Sequence, residues 1–126
     1  MMQLLRGLFG GRREEEHKEI DVLAEAQARA QQRPGDAAAH FDLGSIYYVR
    51  GHFEDAAKEL ERAVELAPGH GDANYMLGLA YAKLRRYDDA RRAFEAAGRK
   101  TGNPMLQTYV KQKLRELGNR GAEEQG

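Results

Sequence analysis

Apolar residues recur three and four positions apart along much of the chain, the spacing that gives an α-helix one buried face. Leu106, Val110, Leu114 and Leu117 follow at intervals of four, four and three, and Ile20, Leu23, Ala26 and Ala30 do the same between Glu14 and Gln32. Turn residues divide the stretch between them. Pro34-Gly35 precedes Asp36, which is placed to cap a helix starting near Ala37, and Gly51 ends that helix as a C-terminal glycine. A second helix is predicted over 53–66. Pro68-Gly69 then precedes Asp72, read as the cap of a third helix, whose partner runs over 87–99. Asn103 and Pro104 supply the cap and first turn of a last helix over 104–117, with Gly118 as its stop and a polar, disordered tail over 118–126. Every predicted element is helical, so the fold class is all-α.

The pattern also repeats. Leu43-Gly44-Ser45-Ile46-Tyr47 is written again, 34 residues later, as Leu77-Gly78-Leu79-Ala80-Tyr81. Pro34 and Pro68, Phe53 and Tyr87, Asp55 and Asp89, Ala56 and Ala90, Leu60 and Phe94, and Ala63 and Ala97 keep the same interval. A fixed period of this size marks stacked supersecondary units. Two amphipathic helices of roughly 14 residues with two short turns fill such a period. A glycine repeated in mid-helix, where it costs about 1 kcal/mol against alanine, implies the close approach of a neighbouring helix at Gly44 and Gly78. Ala56 and Ala90 are the expected counterparts. Tyr47 and Tyr81 are expected to fill space beside them, with their hydroxyls reaching polar partners.

The repeated unit resembles the tetratricopeptide repeat. One unit spans 37–70, with Leu43, Gly44, Tyr47, Ala56, Leu60, Ala63 and Pro68 in the family's places. A second spans 71–104, with Leu77, Gly78, Tyr81, Ala90, Phe94 and Ala97. His40 and Asn74 stand where the family has an aromatic, Arg85 where a turn glycine is frequent, and Gly102 where a proline would fall. The resemblance implies an α-solenoid of antiparallel helix hairpins, with 104–117 as a C-terminal capping helix. The helix over 14–33 is in phase with the second helices, as the back half of an incomplete earlier unit, although Arg29 takes the place of Ala63 and Ala97.

Residues 1–13 carry Met1, Leu4, Leu5, Leu8 and Phe9 among Arg6, Arg12 and Arg13, interrupted by Gly7, Gly10 and Gly11. Three readings stand: a degenerate front helix, an arm that docks into a groove of its own or a neighbouring chain, or a membrane-surface contact. The segment lacks the apolar core and small-residue cleavage site of a secretory leader, and the expected location is cytoplasmic.

Composition narrows the chemistry. The 126-residue chain fits one domain, carries no cysteine and has a formal net charge of zero. That charge is uneven. Residues 34–70 hold three Lys/Arg and seven Asp/Glu, a net −4, whereas residues 71–126 hold eleven and seven, a net +4. No two of His17, His40, His52 and His70 have the i, i+4 spacing of a helical metal site. His40 is expected to pack at a helix interface. Asp88-Asp89 and Glu14-Glu15-Glu16 complement helix starts. Gly69-His70-Gly71 lacks the lysine and hydroxyl of a phosphate loop. No catalytic set, metal site or cofactor is expected, and the protein is read as non-enzymatic.

What remains is a surface. The resemblance implies a concave groove lined by first helices, here Phe41, Ser45, Tyr48 and Val49, then Asp72, Tyr75, Leu79 and Lys83. Aromatic and apolar with a few polar points, it suits an extended peptide or amphipathic helix of another protein. Some family members clamp the C-terminal carboxylates of chaperone tails with lysine, asparagine and arginine. The matching places are Phe41, Ser45, Met76, Leu106 and Val110, none of them cationic, so no such clamp is expected. Two other classes stay open. One is a self-assembling structural protein, joined through the groove or residues 1–13. The other is a nucleic-acid binder using Arg85, Arg86, Arg91, Arg92, Arg99, Lys100, Lys111 and Lys113; zero net charge and the lack of a recognised module oppose it.

Overall fold

The computed structural model describes residues 21–125, with side chains through residue 120. Six helices run in order: α1 (Val22–Gln32), α2 (Ala37–Val49), α3 (Phe53–Leu66), α4 (Gly71–Lys83), α5 (Tyr87–Lys100) and α6 (Pro104–Gln125). No strand occurs among the described residues. The readings placed on residues 1–13, and on 14–20 of the first predicted helix, lie outside them.

Local chemistry explains the boundaries. Asp21 and Asp36 accept from the backbone N–H of Ala24 and Ala38 at 3.1 and 3.0 Å, and Asn103 accepts from Met105 at 3.0 Å. The cap of α4 is not Asp72. His70 Nδ1 accepts from Ala73 N–H at 2.9 Å, and Asp72 sits exposed in the first turn. The reason is the period: His70 lies 34 residues after Asp36 and does the same job with a ring nitrogen. The hairpin turns repeat too. Gly51 has φ +82° and Arg85, its counterpart, φ +61°. At each turn the next N–H reaches back to a tyrosine carbonyl, His52 to Tyr47 and Arg86 to Tyr81, both at 2.9 Å.

The last helix runs past its predicted stop: 118–125, read as the start of a disordered tail, is helical. A glycine inside a helix costs only about 1 kcal/mol. The turns before Gly118 are already fixed by buried Leu106, Val110 and Leu117, so continuing the helix needs no new nucleus.

Packing follows the period. Leu60 and Phe94 are fully buried at the centres of the two hairpins. Each lies under the repeated glycine: a Cβ at Gly44 would fall 2.7 Å from Leu60 Cγ, and one at Gly78 2.6 Å from Phe94 Cδ1. The large residues thus fill the space left by the glycines, while the same added Cβ at Gly44 would lie 3.3 Å from the Ala56 carbonyl oxygen. Tyr47 accepts from Gln27 Nε2 at 2.9 Å, and Tyr81 donates to Glu61 Oε1 at 2.6 Å. Each phenol braces a first helix against the second helix before it.

The two departures from an aromatic share a role. His40 Nε2 lies 2.9 Å from the Pro34 carbonyl, and Asn74 Nδ2 donates to the Pro68 carbonyl at 3.3 Å and to that of His70 at 2.8 Å. Both side chains are buried, and each ties its helix to the turn before it. His40 Nδ1 also meets Glu59 at 2.8 Å. Arg29 escapes burial because α1 presents Ala26 and Ala30 to α2; it reaches Asp42 at 3.6 Å from the edge.

Candidate functional site

The stack is curved. α2 touches α4 and α4 touches α6, but the second helices α3 and α5 do not approach one another. The first helices therefore line the inner side. α6 occupies the place of a third first helix, so it forms part of this face as well as closing the end.

A concavity of about 160 Å³ opens between α2, α4 and α6. Its apolar lining is Tyr48, Leu79, Ala82, Phe94 and Leu117, and Lys83, Lys113, Glu116 and Arg120 supply its charges. Three sequence-predicted residues, Tyr48, Leu79 and Lys83, come together here. Phe41 and Tyr75 lie on the same inner helices but outside this concavity. The Phe41 ring sits 4.9 Å from His70, and the Tyr75 ring 5.6 Å from Phe94. Ser45 donates to its own helix at the Phe41 carbonyl, 2.8 Å away. Val49 is 83% exposed, and neither it nor Asp72 lines the concavity.

The prediction missed the contribution of α6: Tyr109, Lys113, Glu116, Leu117 and Arg120. The signal was present in the interval, because Phe41, Tyr75 and Tyr109 are spaced 34 apart. Reading the last helix only as a cap hid it.

Electrostatics set the state of the ring hydroxyls. Burial raises the pKa of Tyr48, partly opposed by the nearby Lys113 ammonium. Burial also raises Tyr75, aided by the Glu116 carboxylate and by Tyr109. Both phenols therefore stay neutral and able to donate near neutral pH. Lys83 Nζ lies 5.9 Å from the Phe53 ring centroid, and the Tyr48 ring meets the same ring at 5.4 Å.

The carboxylate-clamp positions offer no cation: Leu106 and Val110 are buried in the core, Met76 is packed against it, and the Ser45 hydroxyl is spent on its own helix. Several basic side chains of the last third are engaged close to home. Arg86 and Arg92 pair with Asp89, Arg91 with Asp88, and Lys100 donates to the Pro68 carbonyl. The hydrogen bond from Arg92, with that from Arg86, holds the Asp89 carboxyl below its ordinary range. Among the described residues no group of three His, Asp or Glu could hold a metal ion. None of the described helices is long and apolar enough to cross a membrane.

Comparison with curated proteins returns no match. Among solved structures, the Sgt2 TPR domain from Aspergillus fumigatus is similar, with a TM-score of 0.66 and 24% identity over 93% of this chain and 79% of that one. MamA is similar with a TM-score of 0.58 and 20% identity, covering 81% of this chain and 68% of that one. At such identity the likeness speaks for the fold alone. A family model described as tetratricopeptide repeat matches residues 21–70 and again 41–104. With the duplicated hairpins, the glycine crossings and a model match over most of the described chain, the protein belongs to the tetratricopeptide repeat family.

Proposed function

We propose that this protein is a non-enzymatic scaffold that binds a peptide or amphipathic helix of another protein along the inner face of α2, α4 and α6. Membership of a family of interaction modules supports the coarse reading. The finer one rests on a single observation: an open concavity where three first helices converge on an apolar floor with a charged rim. Half-buried rings that are already held by neighbours lose little rotational freedom on binding. Tyr48 and Tyr75 are rings of that kind. The proposed setting is the cytoplasm.

Self-assembly, through the groove or residues 1–13, is the alternative, supported by the exposed apolar side chains of Val49 and Met105. Ion pairing of Arg86, Arg91 and Arg92 within their own helix weighs against a nucleic-acid tract. The test is a peptide-library selection on the wild-type chain, repeated on a Tyr48→Ala/Tyr75→Ala variant whose helicity is checked by circular dichroism. Peptides that bind the wild type should lose most of their affinity for the variant. Equal binding to a folded variant rejects the groove. A dimeric mass in sedimentation that persists after removal of residues 1–13 and collapses in the double variant favours self-assembly.

A further inference from the structure

We infer that the concavity between α4 and α6 receives one bulky apolar side chain from a partner segment that carries carboxylates on both sides of it. This rests on the groove reading and adds the chemistry of the partner.

Two features of the same site carry the inference. The first is its floor. Leu79, Ala82, Phe94 and Leu117 meet there beside the Tyr48 ring, in a space of about 160 Å³, on the scale of one large side chain rather than a folded surface. An aliphatic or aromatic side chain placed there removes apolar area from water on both partners.

The second is the rim. Three cations, Lys83, Lys113 and Arg120, face one carboxylate, Glu116, for a net charge of +2. Glu116 is itself engaged by Lys113 at 3.3 Å. The excess is local to this site. On the adjacent outer helix α5, Arg91 pairs with Asp88 and Arg92 with Asp89. The field of Lys113 reaches the floor, where it eases the ionisation of Tyr48 against the effect of burial. Lys83 and Arg120 both lie exposed. Lys113 and Arg120 stand seven residues, about two turns, apart along α6, and Lys83 adds a cation from α4, so carboxylates flanking the anchor would find cations in the lining, with complementarity that sets partner choice and encounter rate more than bulk affinity.

The probe is a capped, fluorescent hexapeptide with Leu-Phe at its centre and two glutamates on each side. Amidation removes any terminal carboxylate. Anisotropy with the full-length chain at low salt should show saturable binding. Replacing the glutamates by glutamine should weaken it about tenfold, as two to four exposed ion pairs would, and 0.5 M salt, which cuts the Debye length to about 4 Å, should erase the difference. Replacing Leu-Phe by Ser-Ser should abolish binding. Lys83→Glu with Arg120→Glu, both exposed and so compatible with an unchanged helical signal, should weaken the glutamate peptide and spare the glutamine one.

Equal affinity for the glutamate and glutamine peptides overturns the charge argument. If Tyr48→Ala still abolishes both, the groove itself stands. Equal affinity for the Ser-Ser peptide overturns the anchor. No binding of any peptide up to millimolar concentration overturns the inference, while peptides from the library selection still judge the groove separately. A chain that sediments as a dimer and is dissociated by the peptide would place a second copy in the concavity and overturn the inference as well.

Discussion

Gly78→Ala should destabilise the protein, although alanine is the better helix former. The new methyl would lie 2.6 Å from both Cδ1 and Cε1 of Phe94 and 3.0 Å from its Cγ. Phe94 has no exposed surface, and its ring packs against Tyr75 at 5.6 Å, so it cannot swing away without moving the inner face. Overpacking of this kind costs about 1–3 kcal/mol, and removing the glycine returns about 1 kcal/mol of helix propensity. Because the enclosed ring has nowhere to move, the overpacking falls in the upper half of that range, about 2–3 kcal/mol, leaving a net loss of about 1–2 kcal/mol and a fall in Tm of roughly 4–8 °C for a domain of this size. Gly118→Ala is the internal control. It too lies within a helix, but nothing stands within 4 Å of its added Cβ, so it should gain about 0.5–1 kcal/mol. Urea denaturation followed by circular dichroism reads both variants. The packing argument is refuted if Gly78→Ala is as stable as the wild type, or if the two alanines shift stability in the same direction. Shortening the opposing ring with Phe94→Leu should recover part of the Gly78→Ala loss, as neighbouring sites couple.

The Tyr81 phenol is held neutral by burial and by its hydrogen bond to Glu61, which raise its pKa above the ordinary 10.0. The unfolded chain ionises first, so this stabilisation is complete below about pH 10 and is lost as pH rises beyond it; Tyr81→Phe should flatten that alkaline decline in Tm. Gly51→Ala should cost about 1 kcal/mol through its backbone alone, since φ is +82° and its surroundings are open, and a lowered urea midpoint would report that loss.

How much could be read beforehand depended on whether a signal was local. Asp36 and Gly51 were legible from residue preference alone, and the Gly44 and Gly78 crossings from a glycine repeated at the 34-residue interval; all agree with the structure. Where the two disagreed, the interval was the better guide. Asp72 has the side chain of a good cap, but His70 stands in register with Asp36 and takes the role. Tyr109 stands in register with Tyr75 and was overlooked because its helix was read only as a lid. Gly118 misled for another reason: one glycine signals a helix end only when nothing else holds the helix together, and Leu117 is buried beside it. The roles of His40 and Asn74 were hidden because their partners are backbone carbonyls, which no side-chain pattern reports. Of the inner face, Tyr48, Leu79 and Lys83 were found through the resemblance; Lys113, Glu116 and Arg120 needed the third helix in place.

Three of the ties between helices are short in sequence. Tyr47 and Tyr81 each bond a side chain 20 positions upstream, and the bond from Lys100 to the Pro68 carbonyl spans 32. Each of these three stays within a single period. Such a chain can begin to fold at any hairpin and grow outward like a zipper, with low topological cost and a fast expected rate. Inserting another copy of 71–104 would lengthen the stack while leaving each of these three ties with its own mate.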